Sequence, residues 1–197
     1  MSCITKHLFI GLISLLSNFI FCNEPEDLDY IFILDKPSFT IDTEDRRITL
    51  TGKTSSFDKS SEFTIQFPNF KLNSNKYSVN INSKDAIYNK NIGFIKFKNS
   101  VKFQSLSKKD NLFISSEEII LNLTNEKFTS TKEVMTNLNN LDIKSLGIEL
   151  TQKAGNFHAE FSRGNFQIKN VDTINKGYAK KLYIIFAENK IILEEEA

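Results

Sequence analysis

From Phe39 to Ile168, apolar and polar residues take turns in one short run after another. Phe39 and Ile41 begin it, then Ile48 and Leu50, then Phe63, Ile65 and Phe67. Val79 and Ile81, Ile95 and Phe97, and Val101 and Phe103 continue it. Ile119, Leu121 and Leu123 follow, then Ile148 and Leu150, then Phe157, Ala159 and Phe161, and finally Phe166 and Ile168. Successive side chains of a strand point to opposite faces, so each run has one apolar and one mostly polar face. No stretch of this body keeps a helical stripe. Glu133–Leu141 comes nearest and reads as a strand-to-strand crossing. Before the alternation, Tyr30–Leu34 is a continuous apolar run, the pattern of a buried first strand.

Polar clusters separate the runs: Asp58-Lys59-Ser60, Asn89-Lys90-Asn91, Asn125-Glu126-Lys127, Lys153-Ala154-Gly155-Asn156 and Glu188-Asn189-Lys190. They supply the Asn, Asp, Ser and Gly of tight hairpin turns, and such short spacing implies antiparallel neighbours. The runs also repeat. Ser56–Asn69 overlays Ile87–Asn99 at an offset of 31, with looser copies at Ile119–Val134 and Gly147–Phe166. A hairpin cannot bury its apolar face alone, and stacked copies build one continuous core.

The chain is 197 residues long, which suits one domain after a short targeting segment. Its 25 Lys plus Arg and 24 Asp plus Glu leave a net charge of +1, without the basic stripe that nucleic acid requires. The only thiols are Cys3 and Cys22, so the body has no disulfide and no cysteine-based metal site. Phe provides 18 aromatic residues against 5 Tyr, mostly on apolar strand faces. Alternation does not separate a packed Phe core from a Phe-lined slot, and both readings stand.

The N-terminus reads as an address. Lys6 precedes an apolar run over residues 8–22, and an acidic exit, Asn23-Glu24-Pro25-Glu26-Asp27, follows. Phe19, Ile20 and Phe21 occupy positions where signal peptidase wants small residues, which favours an uncleaved anchor over a cut after Cys22. The stretch is short for a span, and Asn18 weakens it. Either way, everything beyond Asn23 lies across the membrane.

Catalytic patterns are missing. His7 lies beside the anchor, and His158 falls on the polar phase between Phe157 and Ala159. Glu117 and Glu118 are adjacent on one strand and point to opposite faces, so they do not form an acid–base pair. No nucleophile elbow, P-loop or H-E-x-x-H occurs. Asp42, Glu44 and Asp45 read as a solvated turn before Arg46-Arg47 rather than a cation site. No cofactor and no metal are expected.

Several segments resemble the LptC family, bitopic periplasmic components of lipopolysaccharide export related to OstA-like bridge proteins. Pro37-Ser38-Phe39 resembles the step into its first long strand. Lys76–Tyr88 is similar to the strand entering its second hairpin. Phe97-Lys98-Asn99-Ser100-Val101-Lys102-Phe103 resembles its "l-x-G-x-V-x-f" segment, although Asn99-Ser100 stands where the family often has glycine. Leu112–Asn122, with Ser115 and Ser116 near the usual Thr, Phe128–Val134, Leu146-Gly147-Ile148 and Gly155–Phe166 resemble later strands. The likeness spans about residues 35 to 170, and a tail from Gly177 to Ala197 runs past the usual end. Lys181–Ala187 and Lys190–Leu193 read there as one extra hairpin.

The resemblance implies an all-β fold: an open, twisted antiparallel β-jellyroll of serial hairpins after one N-terminal transmembrane or signal segment. The expected division is an anchor at 1–24, a linker and first short strand at 25–35, the jellyroll at 36–175, and an extra hairpin with an acidic tail at 176–197. The protein would be no enzyme. It would sit in the inner membrane with its domain in the periplasm, take acyl chains of lipopolysaccharide from an inner-membrane ABC transporter complex, and pass them to a periplasmic jellyroll bridge protein joined edge to edge. Phe97, Phe103, Ile114, Leu121, Leu150, Phe157 and Phe161 are the expected inner-face, ligand-binding residues. Aspartate at Phe103 or Phe161 would reduce acyl-chain capture. The alternatives are a soluble periplasmic bridge of the same superfamily, or an exported structural β-repeat protein without ligand.

Overall fold

Alternation becomes strand almost wherever it occurs. The computed structural model describes residues 32–57, 62–107, 111–153, 156–170, 172–188 and 190–194. The expected anchor at 8–22 lies outside them, as do Tyr30 and Ile31. Among the described residues no helix is long and apolar enough to cross a membrane.

The chain passes back and forth between two layers. After β1 (Phe32–Asp35), the hairpin of β2 (Ser38–Asp42) and β3 (Arg46–Thr51) lies in the first layer, and that of β4 (Thr54–Phe57) and β5 (Glu62–Gln66) in the second. The strands β6 (Asn69–Ser74) and β7 (Tyr77–Asn82) return to the first, and β8 (Asp85–Asn89) to the second. Among the described residues four long strands serve both layers, the first two being β9 (Phe94–Ser107) and β10 (Asn111–Asn122). The front half of β9 pairs with β8 and its back half with β7. The chain continues through β11 (Lys127–Ser130), β12 (Val134–Leu138), β13 (Leu141–Ser145) and β14 (Gly147–Lys153). It ends with β15 (Asn156–Lys169), β16 (Ile174–Ile185), a short 3-10 turn at Phe186–Glu188 and β17 (Lys190–Glu194). Every pairing is antiparallel, and the ladders link all 17 strands into one sheet folded over on itself.

The repeat seen in the sequence has a structural meaning. Its four copies are the four hairpins of the second layer: β4–β5, β8 with front β9, back β10 with β11, and β14 with front β15. Between consecutive copies the chain makes a first-layer hairpin, so one repeat is one excursion through both layers.

The layer changes line up along one edge. Backbone bonds run from corner to corner: Lys36 N to Lys53 O (2.9 Å), Lys53 N to Gln66 O (2.9 Å), Phe67 N to Lys84 O (2.7 Å) and Lys84 N to Asn99 O (3.0 Å). Turning so sharply takes unusual backbone. Phe67, Asn99, Ser100 and Arg163 all have positive φ. At Asn99 and Ser100 it is 63° and 61°, in the left-handed region that glycine prefers. The Asn99 side chain helps by donating to Asp85 Oδ2 at 2.7 Å. Replacing Ser100 with valine, whose β-branch fits this region worst, should cost about 1–2 kcal/mol. A shift of the urea midpoint to lower concentration checks this.

The opposite edge carries the hairpin tips, and among the described residues no strand passes between the layers there. Aromatic pairs cross the seam: Phe70 of β6 against Phe97 of β9 (5.8 Å, 69°), and Phe103 of β9 against Phe128 of β11 (5.1 Å, 77°). Edge-to-face contacts of this kind add about 0.5–1.5 kcal/mol beyond the apolar area they bury. One expectation changes. The described part of the run taken for a buried first strand, from Phe32, lies in an exposed strand at one end of the sheet, with Ile33 73% exposed. β1 pairs only with β4 among the described residues, so only Leu34 is partly covered; Phe32 stacks on Phe57 at 4.9 Å and still keeps 56% of its surface exposed.

Candidate functional site: the seam between the layers

Inward residues follow one another from strand to strand in fixed register. In the first layer one row runs Phe39, Leu50, Phe70, Ile81, Phe103, Ile114, Thr136, Ile143, Phe166 and Gly177. In the second it runs Phe57, Phe63, Tyr88, Ile95, Leu121, Phe128, Leu150, Ala159 and Ile184. The two rows face each other over the length of the molecule. They enclose a seam closed at the corners and bounded by loops at the tips.

All seven residues expected on the inner face are there. Phe97, Leu121, Leu150 and Phe161 have no exposed surface, and Phe103, Ile114 and Phe157 are also buried. Phe103 and Ile114 are register partners, as are Ile148 and Phe161. His158 lies half-buried on the outer side. Side chains fill the middle of the seam. Two hydroxyls within it, on Ser55 and Thr136, are buried without a hydrogen-bond partner, each costing about 1–3 kcal/mol.

The ends differ from the middle. Where the chain begins its strands, Phe39, Phe57, Phe63 and Tyr88 make a partly exposed aromatic cluster, with Phe39 and Phe63 at 5.5 Å and Phe63 and Tyr88 at 5.9 Å. At the far end the row ends on Phe166 and Gly177. A Cβ on Gly177 would stand 2.4 Å from Phe166 Cζ, so the ring lies where a side chain would otherwise be. A groove of 610 Å³ runs past Phe113 and Met135 of the first layer's outer side, and its lining also takes in Thr136, Ile143, Phe166 and Gly177 of the inward row.

A polar group bridges the tips. Arg46 of β3 pairs with Glu126, in the turn between β10 and β11 of the other layer. Tyr77 of β7 donates its hydroxyl to the same carboxylate at 2.7 Å. Behind them Tyr77 meets Phe157 edge-on at 5.0 Å, and Phe157 meets Phe186 at 6.3 Å. Sequence reasoning missed this trio. It read a solvated turn before Arg46-Arg47 and gave neither arginine a role. Arg47 pairs with Asp42 beside it (Nε to Oδ2, 3.0 Å). For Arg46 the signal was its phase: it alternates with Ile48 and Leu50, so it points inward.

Burial pushes the Tyr77 hydroxyl above its ordinary pKa, with the Arg46 charge pulling the other way, and burial raises Tyr88 as well. The folded state therefore holds these protons more tightly than the unfolded chain. Stability tied to them is present below pH about 10, the ordinary tyrosine value, and is lost as pH rises past it. Replacing both with phenylalanine should lessen the loss of stability between neutral and strongly alkaline pH. Tyr77→Phe alone should cost about 1.5–3 kcal/mol at neutral pH, the worth of a bond to a charged acceptor. Urea unfolding across that pH range measures both.

The sequence profile of the lipopolysaccharide-assembly, LptC-related family matches residues 40–158, well over half of the 197-residue chain. The chain belongs to that LptC-related family. The match covers β3 to β14 and the start of β15, and so most of the seam. Membership assigns the protein a role in lipopolysaccharide transport. No curated protein matches the chain.

Proposed function

We propose that the protein is a non-enzymatic carrier that holds the acyl chains of lipopolysaccharide between its two layers. It receives them from an inner-membrane ABC transporter complex and hands them to a periplasmic jellyroll bridge protein. What supports this reading is an apolar seam whose layers are joined covalently along one edge only, in a chain of the LptC-related family. Acyl chains need such a surface, and separating the layers at the tips breaks no strand pairing. Phe97, Phe103, Ile114, Leu121, Leu150, Phe157 and Phe161 are the proposed lipid-contacting residues.

The sheet ends suit the hand-over. At the start β1 and β2 are outermost; at the finish β17 covers the back half of β16 while its front half, from Ile174, has no further neighbour among the described residues. An uncovered strand is a template for a partner strand. In this reading residues 1–24 anchor the chain in the inner membrane and 25–35 link the anchor to the sandwich. Residues 36–175 form the carrier, and 176–197 tune which part of the final edge is offered.

Fractionation of a Gram-negative host making the whole chain tests this. The protein should be recovered in inner membranes, carrying lipopolysaccharide and crosslinkable to the transporter. Recovery as a soluble periplasmic protein free of lipopolysaccharide would contradict it.

A further inference from the structure

We propose that Arg46 is a binding site for the phosphate of a lipid headgroup seated at the mouth of the seam, and that Glu126 occupies this site until the ligand arrives. This rests on the carrier reading above. Among the described strand residues, Arg46 is the only charged one in the inward phase. It begins β3 at the tips, two residues before the apolar pair Ile48 and Leu50. An amphiphile with its chains between the layers must leave its headgroup at this edge, where the apolar rows stop.

Glu126 reaches Arg46 from the other layer and is itself mostly covered, with 14% of its side chain exposed against 33% for Arg46. Guanidinium binds carboxylate and phosphate through the same fork of donors, so a phosphate is a direct competitor for Glu126. Ser74 is the register partner of Arg46, and a groove of 340 Å³ runs past Arg46, Asn73, Ser74 and Asn75. Asp42, Glu44 and Asp45 border it too, but Asp42 is neutralised by Arg47, and the turn carrying the other two is exposed. The exchange has a mechanical consequence. Arg46–Glu126 and Tyr77–Glu126 both join the tips of the two layers, so a phosphate that takes Arg46 removes one such contact as the chains arrive.

The test measures binding of the whole chain, in detergent micelles, to a diphosphorylated lipid A and to its dephosphorylated form. The wild type should prefer the phosphorylated lipid by about tenfold, the worth of one charge-assisted hydrogen bond. Arg46→Gln should erase that preference by weakening the phosphorylated lipid alone. Glu126→Gln, which removes the competitor but keeps the guanidinium, should retain the preference and tighten binding. Millimolar inorganic phosphate should leave the preference in place; if it abolishes it, the site serves free phosphate and the lipid assignment falls. If Arg46→Gln and Glu126→Gln change both lipids alike, the trio is a latch without a headgroup site and the inference is wrong. Failure of the folded wild type to bind either lipid would instead refute the carrier reading.

Discussion

Replacing Phe103 with aspartate is expected to cost the protein its folded state. Phe103 is 1% exposed, sits between Ile81 and Ile114 in the first layer, and meets Phe128 of the second edge-on at 5.1 Å. Aspartate would lose that contact and place a carboxylate among apolar neighbours. Burial of an unpaired charge and loss of a core aromatic together exceed about 5 kcal/mol, comparable to the whole stability of many domains. Circular dichroism and urea unfolding should show no cooperative transition. A transition close to the wild type would mean that the seam opens readily to water at this point. The same reasoning holds for Phe161, and it changes what these substitutions test. From the sequence alone, aspartate at either position looks like a probe of lipid capture; in the folded protein it probes folding.

Phe97→Ala should destabilise by about 3–5 kcal/mol while keeping the fold. The Phe97 ring has no exposed surface and lies 5.8 Å from Phe70 across the seam. Its removal leaves an apolar void and no buried charge. If acyl chains lie in the seam, they fill that void. Lipopolysaccharide should then raise the melting temperature of Phe97→Ala more than that of the wild type, since a ligand stabilises in proportion to how well it binds the folded state. A melting temperature that lipid moves in neither protein would count against chains between the layers.

Much of the seam was legible because a strand offers a side chain only two directions. Once Ile95 and Phe97 are taken as inward, the phase of β9 follows, and Val101 and Phe103 come with it. The layer change within β9 was not legible for the same reason. The turn at Asn99 and Ser100 leaves the phase intact, so Val101 and Phe103 resume it on the same odd numbers after the single exposed Asn99. Elsewhere the change does leave a trace. In β10 the inward residues pass from Leu112 and Ile114 to Ile119 and Leu121, an odd step that falls at the bulge between Ser116 and Glu118. In β15 they pass from Phe161 to Gly164 across Arg163, which has φ of 50°. The Tyr77–Glu126 contact joins residues 49 apart in the chain. It depends on how two hairpin tips meet, which no local pattern encodes.

Photocrosslinking in cells of a Gram-negative host addresses the central claim most directly. A photoreactive residue replaces Phe103 in one variant, Leu121 in a second and the outward-facing His158 in a third. Adducts with lipopolysaccharide from Phe103 and Leu121, and none from His158, are the expected result. Folded, exported protein that gives no lipid adduct from either inward position would contradict the account and leave a packed structural sandwich in its place.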